Sequence, residues 1–141
     1  MGLDMFLTKQ TYVRKYGNNP PILTLDYPGI KTERVSYIHE EIGYWRKANA
    51  IHQWFVANVQ DGVDKCQESY APKESLMALA DIVAKVQANH SLAPTLLPSQ
   101  DGFFFGSTDY DEYYFNDLED TRKILESALA EDCDYYYRAS W

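Results

Sequence analysis

Cysteine is scarce in this chain, cations are outnumbered by anions, and no long apolar run occurs. Each shortage excludes something. The two cysteines, Cys66 and Cys133, lie far apart and match no zinc or redox spacing, so neither a disulfide framework nor a cysteine metal site is expected. Lys and Arg number 13 against 21 Asp and Glu, a net charge of -8. A protein that grips a nucleic-acid duplex needs clustered cations, so a duplex is not an expected partner. No stretch approaches the ~20 apolar residues of a membrane span. The start Met1-Gly2-Leu3-Asp4 has no basic region of the kind that opens a signal peptide. The expectation is a cytoplasmic protein with reduced thiols, independent of the membrane.

Signatures of chemistry are also missing. There is no Gly-x-Ser-x-Gly elbow, no His-Glu-x-x-His, no P-loop and no dinucleotide fingerprint. No catalytic residue is nominated and no cofactor is expected. Asp109, Asp111 and Glu112 raise the question of a metal. They lack a regular ligand order, and His52 alone cannot complete a zinc set, so no metal ligand is assigned.

What the chain does have is aromatic surface. Twelve Tyr, six Phe and three Trp make up 15% of its 141 residues. Tyrosine joins an apolar ring to a polar tip, which suits half-buried faces and binding sites. The length fits one domain, residues 1–141, large enough to fold without a disulfide or a metal.

Local patterns predict an α+β fold. Residues 3–13 are β-type, 17–21 form a turn rich in Gly, Asn and Pro, 22–27 alternate as a half-buried strand, and 34–38 offer a third short strand. Residues 40–59 carry good helix formers and no proline, and read as the first helix, stopped at Asp61-Gly62. A second helix spans about 72–89, with Leu76, Leu79, Val83 and Val86 on one stripe. Residues 91–102 form a loop and Phe103-Phe104-Phe105 a short strand. A third helix covers at least 116–130, with Thr108 as an alternative earlier cap. Residues 135–141 alternate as a terminal strand. Strands near both ends with helices between them predict a small antiparallel or mixed sheet, three helices, and N- and C-terminal strands in one sheet.

Polar residues on the core-facing arc of the first helix stand out. Asn49 and His52 fall among Ile42, Trp45, Ala48, Ile51 and Phe55. Buried polar groups need partners. Either they bond to the surrounding backbone and lock the packing, or the arc lines a pocket. In the pocket reading Trp45, Arg46, Asn49 and His52 form one wall. An indole, an amide and a guanidinium suit a nucleotide-like anion. The second wall is the segment 102–114, where Phe105, Ser107, Tyr110 and Tyr113 join two glycines and a helix start. Trp54 falls on the polar arc, as a lone surface Trp over a loop or as the anchor of a protein interface.

The blocks Met1-Gly2-Leu3-Asp4-Met5, Tyr44-Trp45-Arg46-Lys47-Ala48-Asn49-Ala50-Ile51-His52 and Gly102-Phe103-Phe104-Phe105-Gly106-Ser107 resemble small uncharacterised proteins of bacteriophages and prophages. The resemblance runs along nearly the whole chain and carries no catalytic residue with it. It implies an accessory protein in the host-cell cytoplasm that acts on a host system. The leading expectation is a non-enzymatic protein that sequesters a small anionic nucleotide-derived ligand. The alternative is an inhibitor that binds a host defence protein through an acidic, Tyr-rich surface, and a metal-dependent hydrolase comes third. Homo-oligomerisation is left open.

Overall fold

The computed structural model describes residues 2–13, 24–102 and 105–141. Strand β1 (Asp4–Tyr12) is followed by β2 (Tyr37–Arg46), helix α1 (Asn49–Asn58), the short β3 (Ser69–Tyr70), α2 (Lys73–Ala88), the one-turn α3 (Ala93–Leu96), α4 (Glu112–Leu129) and β4 (Asp134–Ser140). The four strands form one antiparallel sheet in the order β2-β1-β4-β3. The class is α+β, as the sequence pattern predicts, and the N- and C-terminal strands are direct neighbours.

Alternation divides β1 into two faces. Met5 and Leu7 point into the core with Trp45 of β2 and Tyr135, Tyr137 and Ala139 of β4. The apolar stripes of the helices close over them. Ile51 and Phe55 come from α1, Leu76, Leu79, Val83 and Val86 from α2, and Leu118, Leu125 and Ala128 from α4. The Phe55 ring stacks on Tyr137 at 4.0 Å between centroids. The other face of the sheet carries Phe6, Tyr44, Tyr70 and Tyr136, with the Arg138 guanidinium 4.6 Å from the Phe6 centroid.

The largest departure from the sequence reading is at residues 40–59. Their first half is strand β2, and the helix begins only at Asn49. Tyr37, Ile38, Ile42, Tyr44 and Trp45 are residues that fit a pleated surface. Pairing with β1 along the whole strand outweighs local helix propensity there. Leu7 pairs with Gly43 and Thr8 with Glu41, so Ile42 bulges out of register. Gly43 is required by packing: a Cβ there would lie 2.5 Å from Cγ2 of Ile124 on α4.

Smaller differences have local causes. Residues 32–34 turn as a 3-10 helix, so β2 starts at Tyr37 rather than at 34. Residues 24–26 form no strand, and Tyr27 bridges to Ile30 around Pro28-Gly29. The expected turn at 17–21, Ile22 and Leu23, and Phe103 and Phe104 lie outside the described residues. Phe105 is buried but belongs to no strand. The expected loop at 91–102 contains α3. The cap of α4 is Asp111, not Thr108; its carboxylate accepts from the amides of Tyr113 and Tyr114. Helix α2 keeps the predicted limits, with Pro72 at its cap and the predicted stripe buried.

Candidate functional site

A cleft of about 430 Å³ opens where the end of β2 meets the start of α1, the segment 105–111 and the first turns of α4. Its lining comprises Arg46, Lys47, Asn49, Gly106, Ser107, Asp109, Asp111, Tyr113, Tyr114 and Asp117. The volume falls in the range of small-molecule sites.

The turn from β2 into α1 builds one side. Lys47 sits in the left-handed region at φ 55°, an uncommon setting for a side chain with a Cβ. Its amide donates to the Leu3 carbonyl (2.7 Å) and its carbonyl accepts from the Asn49 amide (2.9 Å). Gly106, at φ 83°, lies against the Lys47 stem; a Cβ on it would stand 3.2 Å from the Lys47 Cβ. Among the described residues neither Arg46 nor Lys47 forms an ion pair.

Asn49 ties the two walls together. Its Nδ2 donates to the carbonyls of Phe105 and Ser107, each at 2.9 Å, and its Oδ1 accepts from the Gln100 amide at 2.9 Å. All its hydrogen-bonding directions but one thus serve the loop that faces it. The Ser107 hydroxyl accepts from the Asp109 amide.

The third side is acidic. Asp109 and Asp111 come from the loop and Asp117 from α4. Burial, with help from the neighbouring charges of Asp120 and Asp111, raises the Asp117 carboxyl from its ordinary 3.8 to about 7. No hydrogen bond or ion pair holds that carboxyl among the described residues. Tyr114 is fixed from behind, its hydroxyl donating to the Leu97 carbonyl at 2.7 Å, and burial pushes its ionisation upward. The Tyr113 ring is 72% exposed on the lip.

The residues singled out in the sequence separate into two sets. Arg46, Asn49, Ser107 and Tyr113 line the cleft. Tyr110 stands at its margin, accepting from the Ser99 amide and packing edge-on to Tyr114. Trp45, His52 and Phe105 lie in the core. The Trp45 indole donates to Thr121 and packs against Phe55. His52 is fully buried between Tyr137 and Asp64. Burial keeps the Tyr137 hydroxyl protonated; it lies 2.6 Å from Nδ1 of His52, and Nε2 lies 2.9 Å from the Asp64 carboxylate. Phe105 seals this relay with its ring edge-on to His52. Asp64 also accepts from the indole of Trp141, which docks the chain end.

Trp54 does not face solvent. It is 8% exposed and packs edge-on to Phe55; the helical projection misplaced it because residues 40–46, counted into that helix, are strand β2. One edge reaches a small hollow of about 230 Å³ shared with Leu96, Leu97 and Pro98. Sequence reasoning did not nominate Lys47 or Asp117 for the site, and it took in Gly106 and Tyr114 only as members of the 102–114 wall. Asp117 did carry a signal, since it keeps helical spacing with Tyr110 and Tyr113; Lys47 carried none.

Among the described residues no three His, Cys, Asp or Glu side chains gather in a way that could hold a metal ion, and no helix is long and apolar enough to cross a membrane. Comparison with protein-family models, curated proteins and solved structures finds no match.

Proposed function

We propose that the cleft binds a small anionic, nucleotide-derived ligand and holds it without transforming it. One observation carries this reading. Arg46 and Lys47 are adjacent cations with no ion pair among the described residues, and both line a cleft of ligand size. Such groups attract a phosphate, and Arg can grip one with two parallel bonds. The exposed Tyr113 ring offers a surface for a base. Binding is favoured over turnover because no paired nucleophile and base lines the cleft: the Ser107 hydroxyl is engaged by an amide rather than by a base. A phage origin, expected from the sequence blocks alone, fits sequestration of a host signalling molecule as the biological use.

The test is thermal unfolding with a panel of mononucleotides and cyclic oligonucleotides. A ligand at a hundred times its Kd stabilises by about 2.7 kcal/mol, which raises the midpoint on the order of 10 °C. Arg46→Ala with Lys47→Ala should abolish the rise. If no compound moves the native midpoint, the reading is wrong.

The second reading is inhibition of a host protein through a Tyr-rich surface. It is favoured by Tyr37, Tyr44 and Tyr70, each about half exposed on the strands of the sheet.

A further inference from the structure

The cleft is lined by charges of both signs. Arg46 and Lys47 repel a wholly cationic ligand, and Asp109, Asp111 and Asp117 repel a wholly anionic one. A molecule that satisfies both presents an anion to the cations and N–H donors to the acids. A zwitterion as small as an amino acid has this polarity, but it would leave much of 430 Å³ and the Tyr113 ring unused.

Among the acids, each has a different commitment. Asp111 caps α4 through two backbone amides. Asp109 is exposed and belongs to the loop. Asp117 is half-buried on the cleft wall, without a hydrogen-bond donor among the described residues, on a helix held by core packing. A carboxylate in that setting gains most when a ligand brings donors to it.

We infer that Asp117 is the specificity-determining residue of this cleft and that it selects a guanine base, taking the paired N1–H and N2–H donors while the phosphate lies at Arg46 and Lys47. This rests on the nucleotide-binding reading above. Two adjacent acceptors on a carboxylate match two adjacent donors. Hypoxanthine offers one of those donors. Adenine offers a donor beside an acceptor, which leaves one carboxylate oxygen facing a lone pair. The raised affinity of Asp117 for a proton adds a consequence: guanine has to compete with that proton, so its binding strengthens as pH rises through about 7.

The experiment is calorimetric titration of the full chain at pH 8 with GMP, IMP, AMP and ribose 5-phosphate. GMP should bind about tenfold or more tighter than AMP, with IMP between them. Asp117→Asn offers one acceptor and one donor. It should weaken GMP at least tenfold, bring AMP level with or ahead of GMP, and leave ribose 5-phosphate no weaker than before. Asp117→Ser, which removes the carboxylate without supplying an amide, should lose the preference for GMP without gaining AMP. Equal binding of GMP and AMP by the native chain, with both lost in Arg46→Ala, would overturn the role of Asp117 and leave nucleotide binding intact. No heat with any of the four compounds would remove the nucleotide reading itself, and this inference with it.

Discussion

Replacing Asn49 with leucine tests whether that residue is there for the fold. The two side chains are close in size, so the change removes hydrogen bonds without opening a large cavity. It orphans the carbonyls of Phe105 and Ser107 and the amide of Gln100. A buried group left unpaired costs roughly 1–3 kcal/mol. The three orphans are not equally buried: Ser107 is exposed and Gln100 partly so, and water can reach both, whereas Phe105 is 8% exposed. The net loss is therefore about 2 kcal/mol, close to the cost of the Phe105 carbonyl alone. In a domain of this size that lowers the melting midpoint by roughly 6–10 °C. Circular dichroism during heating, paired with a urea titration to check that the slope is unchanged, measures it. A variant as stable as the native chain, or more so, would refute the argument that Asn49 pins segment 100–107 to α1. Nucleotide affinity should fall in the same variant, because the loop that carries Gly106 and Ser107 loses its tether.

Two further outcomes follow from burial. Trp54→Ala should destabilise by about 3 kcal/mol, at the lower end for a large buried aromatic since one edge borders the small hollow; a midpoint within a degree of native would return Trp54 to the surface. Asp117 has a folded pKa of about 7, above its ordinary 3.8, so the native state binds the proton more tightly than the unfolded chain and stability falls as pH rises from about 4 to 7, then levels; Asp117→Asn should match the native chain near pH 4 and exceed it by about 1–2 kcal/mol at pH 8, after allowance for solvent around a partly buried carboxyl, and a constant difference across that range would show that this carboxyl does not titrate abnormally.

The parts of the fold legible in the sequence are those where local pattern and tertiary packing agree. Helix α2 has proline at its start and four apolar residues on one stripe, and nothing in the structure competes with that signal. β4 alternates Tyr135, Tyr137 and Ala139 inward against polar neighbours, and the structure buries those three. Residues 37–46 are different. Glu40, Glu41 and Arg46 suit a helix, and only the partner strand β1, far away in sequence, decides otherwise. That misplacement carried into the site. With a helix assumed from 40, Trp45, Asn49 and His52 appear on one face. In the structure a turn at Lys47 separates Trp45, on the inner face of the sheet, from Asn49 at the start of α1. Arg46 and Ser107 were nominated for their chemistry and lie on the cleft. Lys47 was not, because what places it there is a left-handed backbone angle that no side-chain pattern reports.

The pairing of Asp4 with both Arg46 and Ser140 has a consequence for how the chain reaches this structure. The strand made first occupies the middle of the sheet, and one of its two partners is made last. Until residues 134–140 have left the ribosome, β1 can zip only to β2, and the edge reserved for β4 stays open. Closing the long loop between β1 and β4 is a non-local step, and it slows folding relative to a helical bundle built on local contacts. During that interval β1 presents an unpaired row of amides and carbonyls beside Met5 and Leu7, a template for another nascent chain. Any protection against aggregation therefore has to act before β4 arrives, and charge repulsion does not supply it: residues 1–100 carry 10 Lys and Arg against 10 Asp and Glu, so the net charge of -8 arrives only with residues 101–141.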